Sequence, residues 1–162
     1  MTYSKLKSFL GTRYDDVFFS KGKDFSDSLN KNGILVFKSF ISDHGLDILN
    51  DEAKKLKKLS FKSSSDYNVY ISEHDNLFSD NSPRNRRMST SKKCIPNDLI
   101  PEDSLLQIIY NSDLIKNFYC DLLKKNQLYS YADPLSSINI NYYDKGDALG
   151  WHFDNSDFTI TL

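Results

Sequence analysis

The stretch SININYYDKGDALGWHFD, residues 137–154, decides how this chain is read. From Ser137 to Tyr143 it alternates: Ile138, Ile140 and Tyr142 fall on one face, Asn139, Asn141 and Tyr143 on the other. That is the pattern of a strand with one apolar and one polar side. Asp144-Lys145-Gly146-Asp147 reads as a turn, with Gly146 at the position that needs positive φ. A further extended segment follows, and side chains two apart in an extended chain point the same way. His152 and Asp154 therefore converge on one point. An imidazole and a carboxylate suit a divalent iron, and two His with one carboxylate on one face of the metal leave open positions for a co-substrate and O2. Residues 133–157 carry five Asp and one Lys, a local charge of −4 that favours a cation. Trp151 alternates away from His152 and is expected to pack rather than react.

Downstream, Phe158, Ile160 and Leu162 alternate with polar residues, so the sequence stops within what reads as a core strand. Immediately upstream, Leu128–Tyr131 reads as extended and Asp133-Pro134 as a turn. Before that the pattern is helical. Residues 1–32 read as short helices ending at the stop signal Asn32-Gly33. Ile34–Phe37 reads as a short buried strand. Ser42 can cap a helix whose stripe is Leu46, Leu49, Ala53, Leu56 and Leu59, with Lys54, Lys55, Lys57 and Lys58 on its solvated side. Ser63–Ser65 reads as a loop and Tyr67–Ile71 as strand-forming. Residues 73–103 read as mostly irregular, including a basic run, Arg84–Lys93, of five basic residues and no acid. Ser112 caps a second helical region with the stripe Leu114, Ile115, Phe118 and Leu122.

Composition removes several classes. The 162 residues carry 21 basic and 22 acidic side chains, so there is no global basic field for nucleic acid. No apolar run approaches the ~18 residues of a membrane span. The N-terminus is too short and polar for a signal peptide. Two cysteines 26 apart, Cys94 and Cys120, give no disulfide framework and point to a reducing, cytoplasmic setting.

The spacing N-x-Y-x-x-G-x(5)-H-x-D, met at Asn141, Tyr143, Gly146, His152 and Asp154, resembles the iron(II)- and 2-oxoglutarate-dependent dioxygenases. Residues 128–162, with NVYI at 68–71, PRNRR at 83–87, TS at 90–91 and IP at 100–101, are similar to the small-molecule branch that includes amino-acid hydroxylases and halogenases. The resemblance implies an α+β fold: N-terminal helices, then the first strands of a double-stranded β-helix, or jelly roll. Residues 1–162 would be the N-terminal part of one oxygenase domain, 1–127 mainly helical and 128–162 β-strands. It implies an oxidoreductase, with His152 and Asp154 as catalytic iron ligands. Asn141 and Tyr143 would contact 2-oxoglutarate, and Arg84, Arg86 and Arg87 would reach co-substrate or another anion. The cofactors implied are iron(II), 2-oxoglutarate and O2, and the substrate is a small molecule such as an amino acid. Halogenases of this type carry Gly or Ala where Asp154 stands, so hydroxylation is favoured.

The family's third ligand, a distal His, and the Arg that pairs with 2-oxoglutarate have no match after Asp154. His44 and His74 lie upstream in blander surroundings. About eight strands are expected of a jelly roll, and this chain has only the first few. The alternative reading is an inactive truncated remnant, or one half of a split oxygenase whose partner chain supplies the missing strands, His and Arg. Nucleic-acid demethylation, suggested by the same spacing, is disfavoured by the neutral charge.

Overall fold

Serine hydroxyls start three of the helices. In a computed structural model, which describes residues 3–162 (side chains from Lys5 onward), Ser42 Oγ accepts the Gly45 N–H at 3.2 Å and opens the helix Asp43–Leu56. Ser104 caps the helix Leu105–Tyr110 by accepting the Leu106 N–H and donates a hydrogen bond to Glu52 of the first. Ser112 opens the helix Asp113–Leu122. The α-helices are α1 (Tyr3–Lys7), α2 (Asp16–Phe19), α3 (Gly22–Asn32), α4 (Asp43–Leu56), α5 (Leu105–Tyr110) and α6 (Asp113–Leu122). Gly33, in the left-handed region at φ 69°, ends α3 as the Asn-Gly pair predicted.

These helices form one compact unit, made of the described residues up to Leu59 together with Pro96–Ile140. Its core gathers Leu6, Phe9, Leu10, Tyr14 and Phe19 from the N-terminal pieces and Leu105, Ile109, Ile115, Phe118 and Leu122 from α5 and α6. The α6 stripe is as expected. Gly22 faces α6 so closely that a Cβ would lie 2.6 Å from the Phe118 carbonyl oxygen, so the two helices meet backbone to backbone.

Two expectations for this unit are corrected. Ile34–Phe37 is not a strand. Leu35 and Phe37 pack on the core, while Ile34 and Val36 are 65% and 68% exposed. The apolar run thus serves one face only and gains no ladder partner. The inner face of α4 is Gly45, Ile48, Leu49, Glu52, Ala53 and Leu56, so Leu49, Ala53 and Leu56 of the expected stripe face inward while Leu46 and Leu59 are exposed. Gly45 sets this rotation: a Cβ there would meet the Phe9 carbonyl oxygen at 2.7 Å, so the helix turns its residue without a side chain inward.

The second compact unit comprises Ser60–Ile95 and Asn141–Leu162. Its strands are β1 (Phe61–Tyr67) and β2 (Met88–Pro96), antiparallel in the register Phe61↔Cys94 to Tyr67↔Met88. With β3 (Asn139–Tyr142), which crosses from one unit to the other, the sheet order is β1-β2-β3. Burial in β3 alternates as read, with Ile140 and Tyr142 inward.

The sequence misjudged this region most. Ser63–Ser65 lies inside β1, and Met88–Lys93, six of the ten residues of the basic run, lies inside β2. Both strands are polar, and what defines them is the backbone ladder, which side-chain polarity does not reveal. Asn68–Ile71 is a turn rather than a strand, with Ile71 at φ 52°. No strand is assigned to Leu128–Tyr131 or to 143–162, where Phe158, Ile160 and Leu162 are exposed. The two longest strands therefore precede residue 128, against the partition into helices up to 127 and strands after.

The fold is α+β, with six α-helices and a three-stranded sheet among the described residues. None of the helices is long and apolar enough to cross a membrane.

Candidate metal-binding pair

The segment after β3 is fastened to β2. The turn forms as expected: Asp147 N–H donates to the Asp144 carbonyl at 3.0 Å, and Gly146 adopts φ 94°. Asp147 accepts from the Asp144 N–H at 2.8 Å and from Ser91 Oγ at 2.7 Å. Those two bonds hold its carboxyl below the ordinary 3.8. Lys93 pairs with Asp144 at 2.7 Å, which raises the ammonium above its ordinary value. Ser91 N–H then donates to the Ala148 carbonyl at 2.8 Å, and Gly150 N–H to Thr90 Oγ1 at 2.8 Å. A Cβ on Gly150 would sit 3.1 Å from Thr90 Oγ1 and 3.2 Å from Met88 Cβ, so glycine admits this close approach. Farther along, Phe153 N–H donates to the Val69 carbonyl at 2.8 Å.

The sign of the Asp147 shift fixes its pH dependence. A lowered folded-state value contributes stability above the unfolded value near 3.8, and that contribution is lost as pH falls through the folded one. The 144–150 segment is thus expected to detach from β2 in acid. Exchange of the Ser91 amide should accelerate there in wild type, while in Asp147→Asn the acid step should be absent. Both carboxylates of the turn are open to solvent, so the effect is local rather than global.

Between these anchors stands His152. Its Nδ1 lies 2.8 Å from the Gly150 carbonyl oxygen and 3.4 Å from Tyr67 Oη, and the Tyr67 ring meets the imidazole edge-on at 5.4 Å. Its Nε2 lies 3.2 Å from Asp154 Oδ1, and Thr159 Oγ1 donates to the other oxygen, Oδ2. The histidine side chain is 22% exposed and the aspartate 49%, so the pair opens to solvent on the carboxylate side. Two donors each ~2.1 Å from one cation at a right angle lie ~3.0 Å apart, close to the observed separation. The residues present fit two ligands of a divalent metal. Among the described residues there is no group of three His, Cys, Asp or Glu placed to hold one.

The other expected site residues lie apart from this pair in their bonding. Asn141 and Tyr143 are exposed, and neither is among the hydrogen-bond partners of His152. Arg84 packs its guanidinium over Tyr70 and Phe78, 5.4 and 5.2 Å from the ring centroids, and pairs with Asp75 at 3.6 Å. Arg87 donates to the Asp66 carbonyl, and Arg86 is exposed. Trp151, expected to pack, is 83% exposed. Much of the local acidity has a structural use: Asp133, Asp144 and Asp147 serve turns or an ion pair. His74 bonds Asn76 and Asp80, and His44 stacks on Phe9.

The residues that sequence reasoning missed are those that carry the pair: Tyr67, Thr90, the Gly150 carbonyl and Thr159. Two buried asparagines also escaped it. Asn68 holds the turn after β1, and Asn85 bonds the Asp75 N–H and the carbonyls of Asp75, Phe78 and Ser79. Both lie in the fragments NVYI and PRNRR, where the resemblance marked the segments and gave no structural role.

Fold and site together define an α+β protein with a half-exposed His-x-Asp pair beside a small sheet. Comparison with family models, curated proteins and solved structures found no match to this chain.

Proposed function

We propose that this chain carries part of the iron(II) site of a 2-oxoglutarate-dependent oxygenase of the hydroxylase type, acting on a small molecule such as an amino acid. The observation that carries the reading is the convergence of His152 Nε2 and Asp154 Oδ1 at 3.2 Å. Iron(II), with 2-oxoglutarate and O2, would supply the oxidation of an unactivated C–H bond. The chain's residues hold and aim the donors. The Gly150 carbonyl accepts from Nδ1–H of His152, which leaves the Nε2 lone pair toward Asp154, and Thr159 holds one oxygen of Asp154 so that the other faces the histidine. Asp154 is a carboxylate where a halogenase keeps an open place, which favours hydroxylation. In this reading the sheet is the beginning of a jelly roll, and Cys94 and Cys120, two thiols outside any disulfide, suit the cytoplasm. A 2-oxoglutarate carboxylate reaching Arg84 must compete with Asp75.

The second reading is one half of a split oxygenase. It draws on the same site: the described residues provide two donors, and the distal His and Arg come from a partner chain.

The test is anaerobic iron(II) with 2-oxoglutarate, added to this chain alone and to this chain completed by sequence carrying the distal His and Arg. A visible charge-transfer band is expected in the completed protein. Asp154→Ala should weaken it and lower hydroxylation by at least 100-fold. No band in either preparation would overturn the proposal. A band in the completed protein only would assign the third ligand to the added sequence.

A further inference from the structure

We infer that Thr90 and Tyr67 are positioning residues that set the tautomer of His152 through Gly150, presenting a bare Nε2 to a metal. The inference rests on the metal-binding reading of the pair. It concerns residues that neither the spacing nor the resemblance assigned a role.

Three distances decide where the single proton of the neutral imidazole resides. A carbonyl oxygen has no proton to give, so the 2.8 Å contact between Nδ1 and the Gly150 oxygen requires the hydrogen on Nδ1. Were it on Nε2, the Nδ1 lone pair would face carbonyl lone pairs at 2.8 Å, with only the Tyr67 hydroxyl at 3.4 Å for relief. The gain would be a 3.2 Å bond to a half-exposed carboxylate that water already solvates. In the neutral ring the shorter contact prevails, and the Nε2 lone pair is left facing the carboxylate oxygen, an arrangement that a cation between the two relieves.

That outcome depends on the Gly150 carbonyl staying where it is. Gly150 is fixed by its N–H on Thr90 Oγ1 at 2.8 Å. Thr90 is buried on β2, and its hydroxyl is joined to Tyr67 Oη at 2.5 Å. Tyr67 is the last residue of β1 and sits opposite Met88 in the ladder. The orientation of one imidazole is thus tied to the register of the β1–β2 pair. In metal sites, such partners on the non-ligating nitrogen fix the ring and change affinity by ~10–100-fold when removed.

The test reads the tautomer directly. Long-range 1H–15N spectra of the imidazole groups at about pH 8.5, above the usual histidine range, distinguish protonated from bare ring nitrogens, and only three histidines need assignment. The expected result for metal-free His152 is a protonated Nδ1 and a bare Nε2. Thr90→Val should give a mixture of tautomers and weaken Co(II) binding by ~10-fold or more. Thr90→Ser should restore both, and Tyr67→Phe should shift both in the same direction as Thr90→Val by less. A protonated Nε2 in the wild type overturns the inference whether or not any variant folds. So does an unchanged tautomer and affinity in a Thr90→Val protein whose β1–β2 amides remain protected. Failure of the underlying functional reading looks different: the Nδ1–H tautomer is present, and the wild type takes up no metal.

Discussion

Asn68→Ala is expected to destabilise the unit that bears the His-Asp pair by about 2–4 kcal/mol. The Asn68 side chain is 1% exposed and carries a complete set of bonds. Its Nδ2 donates to the Ser72 carbonyl at 3.0 Å and to the Arg84 carbonyl, while Oδ1 accepts the N–H groups of Tyr70 at 3.0 Å and Ser72 at 3.2 Å. Alanine would leave these backbone groups without their partner. The same bonds hold Ile71 in the left-handed region, which a β-branched residue enters only under constraint. The effect should reach the site, because Val69, one residue on, accepts the Phe153 N–H beside His152. Urea unfolding with amide exchange at Phe153 measures both consequences. A loss below about 0.5 kcal/mol, with Phe153 still protected, would mean the turn is held by other contacts.

Phe118→Ala is expected to cost the helical unit about 3–5 kcal/mol, the range for emptying a buried aromatic site. The Phe118 ring lies 5.3 Å from Phe18, 5.6 Å from Phe19, 6.1 Å from Phe25 and 5.7 Å from Phe37, centroid to centroid. It therefore joins α6 to α2, α3 and the irregular segment after α3. These neighbours belong to one tight cluster and cannot all close on the cavity, which puts the value in the upper part of the range. Phe118→Leu, which keeps most of the volume, should cost less than half as much. Thermal unfolding of the helical signal compares the two, and equal losses would mean that aromatic geometry, rather than filled volume, holds the cluster.

The helices were legible because their signals are local. Ser42, Ser112 and Asn32-Gly33 act within a turn of themselves, and Ile115, Phe118 and Leu122 show the helical period. The rotation of α4 was hidden because it depends on Gly45 meeting the Phe9 carbonyl, a contact distant in sequence. The sheet was hidden for a related reason. In β1 and β2 the ladder joins Ser63 to Lys92 and Ser65 to Thr90, and neither strand advertises itself by apolar alternation. At the site, the period of an extended chain brought His152 and Asp154 to one side. The turn at Asp144–Asp147 was readable from its Gly and Asp residues. What aims the histidine was not: Thr90 lies 62 residues before it and Tyr67 lies 85 before it, in strands of ordinary polar composition. The arginines illustrate the opposite error. Their clustering suggested an anion site, whereas Arg84 lies against Tyr70, Phe78 and Asp75, and Arg87 bonds backbone.

In the proposed site His152 and Asp154 hold a divalent metal together. This joint ligation is tested most directly by titrating the protein with Mn(II) and following the imidazole resonances of its three histidines. Saturable broadening is expected at His152, with His44 and His74 far less affected, and that selectivity should be lost in Asp154→Ala. Equal broadening of all three histidines, or selective broadening of His152 that survives Asp154→Ala, would contradict it.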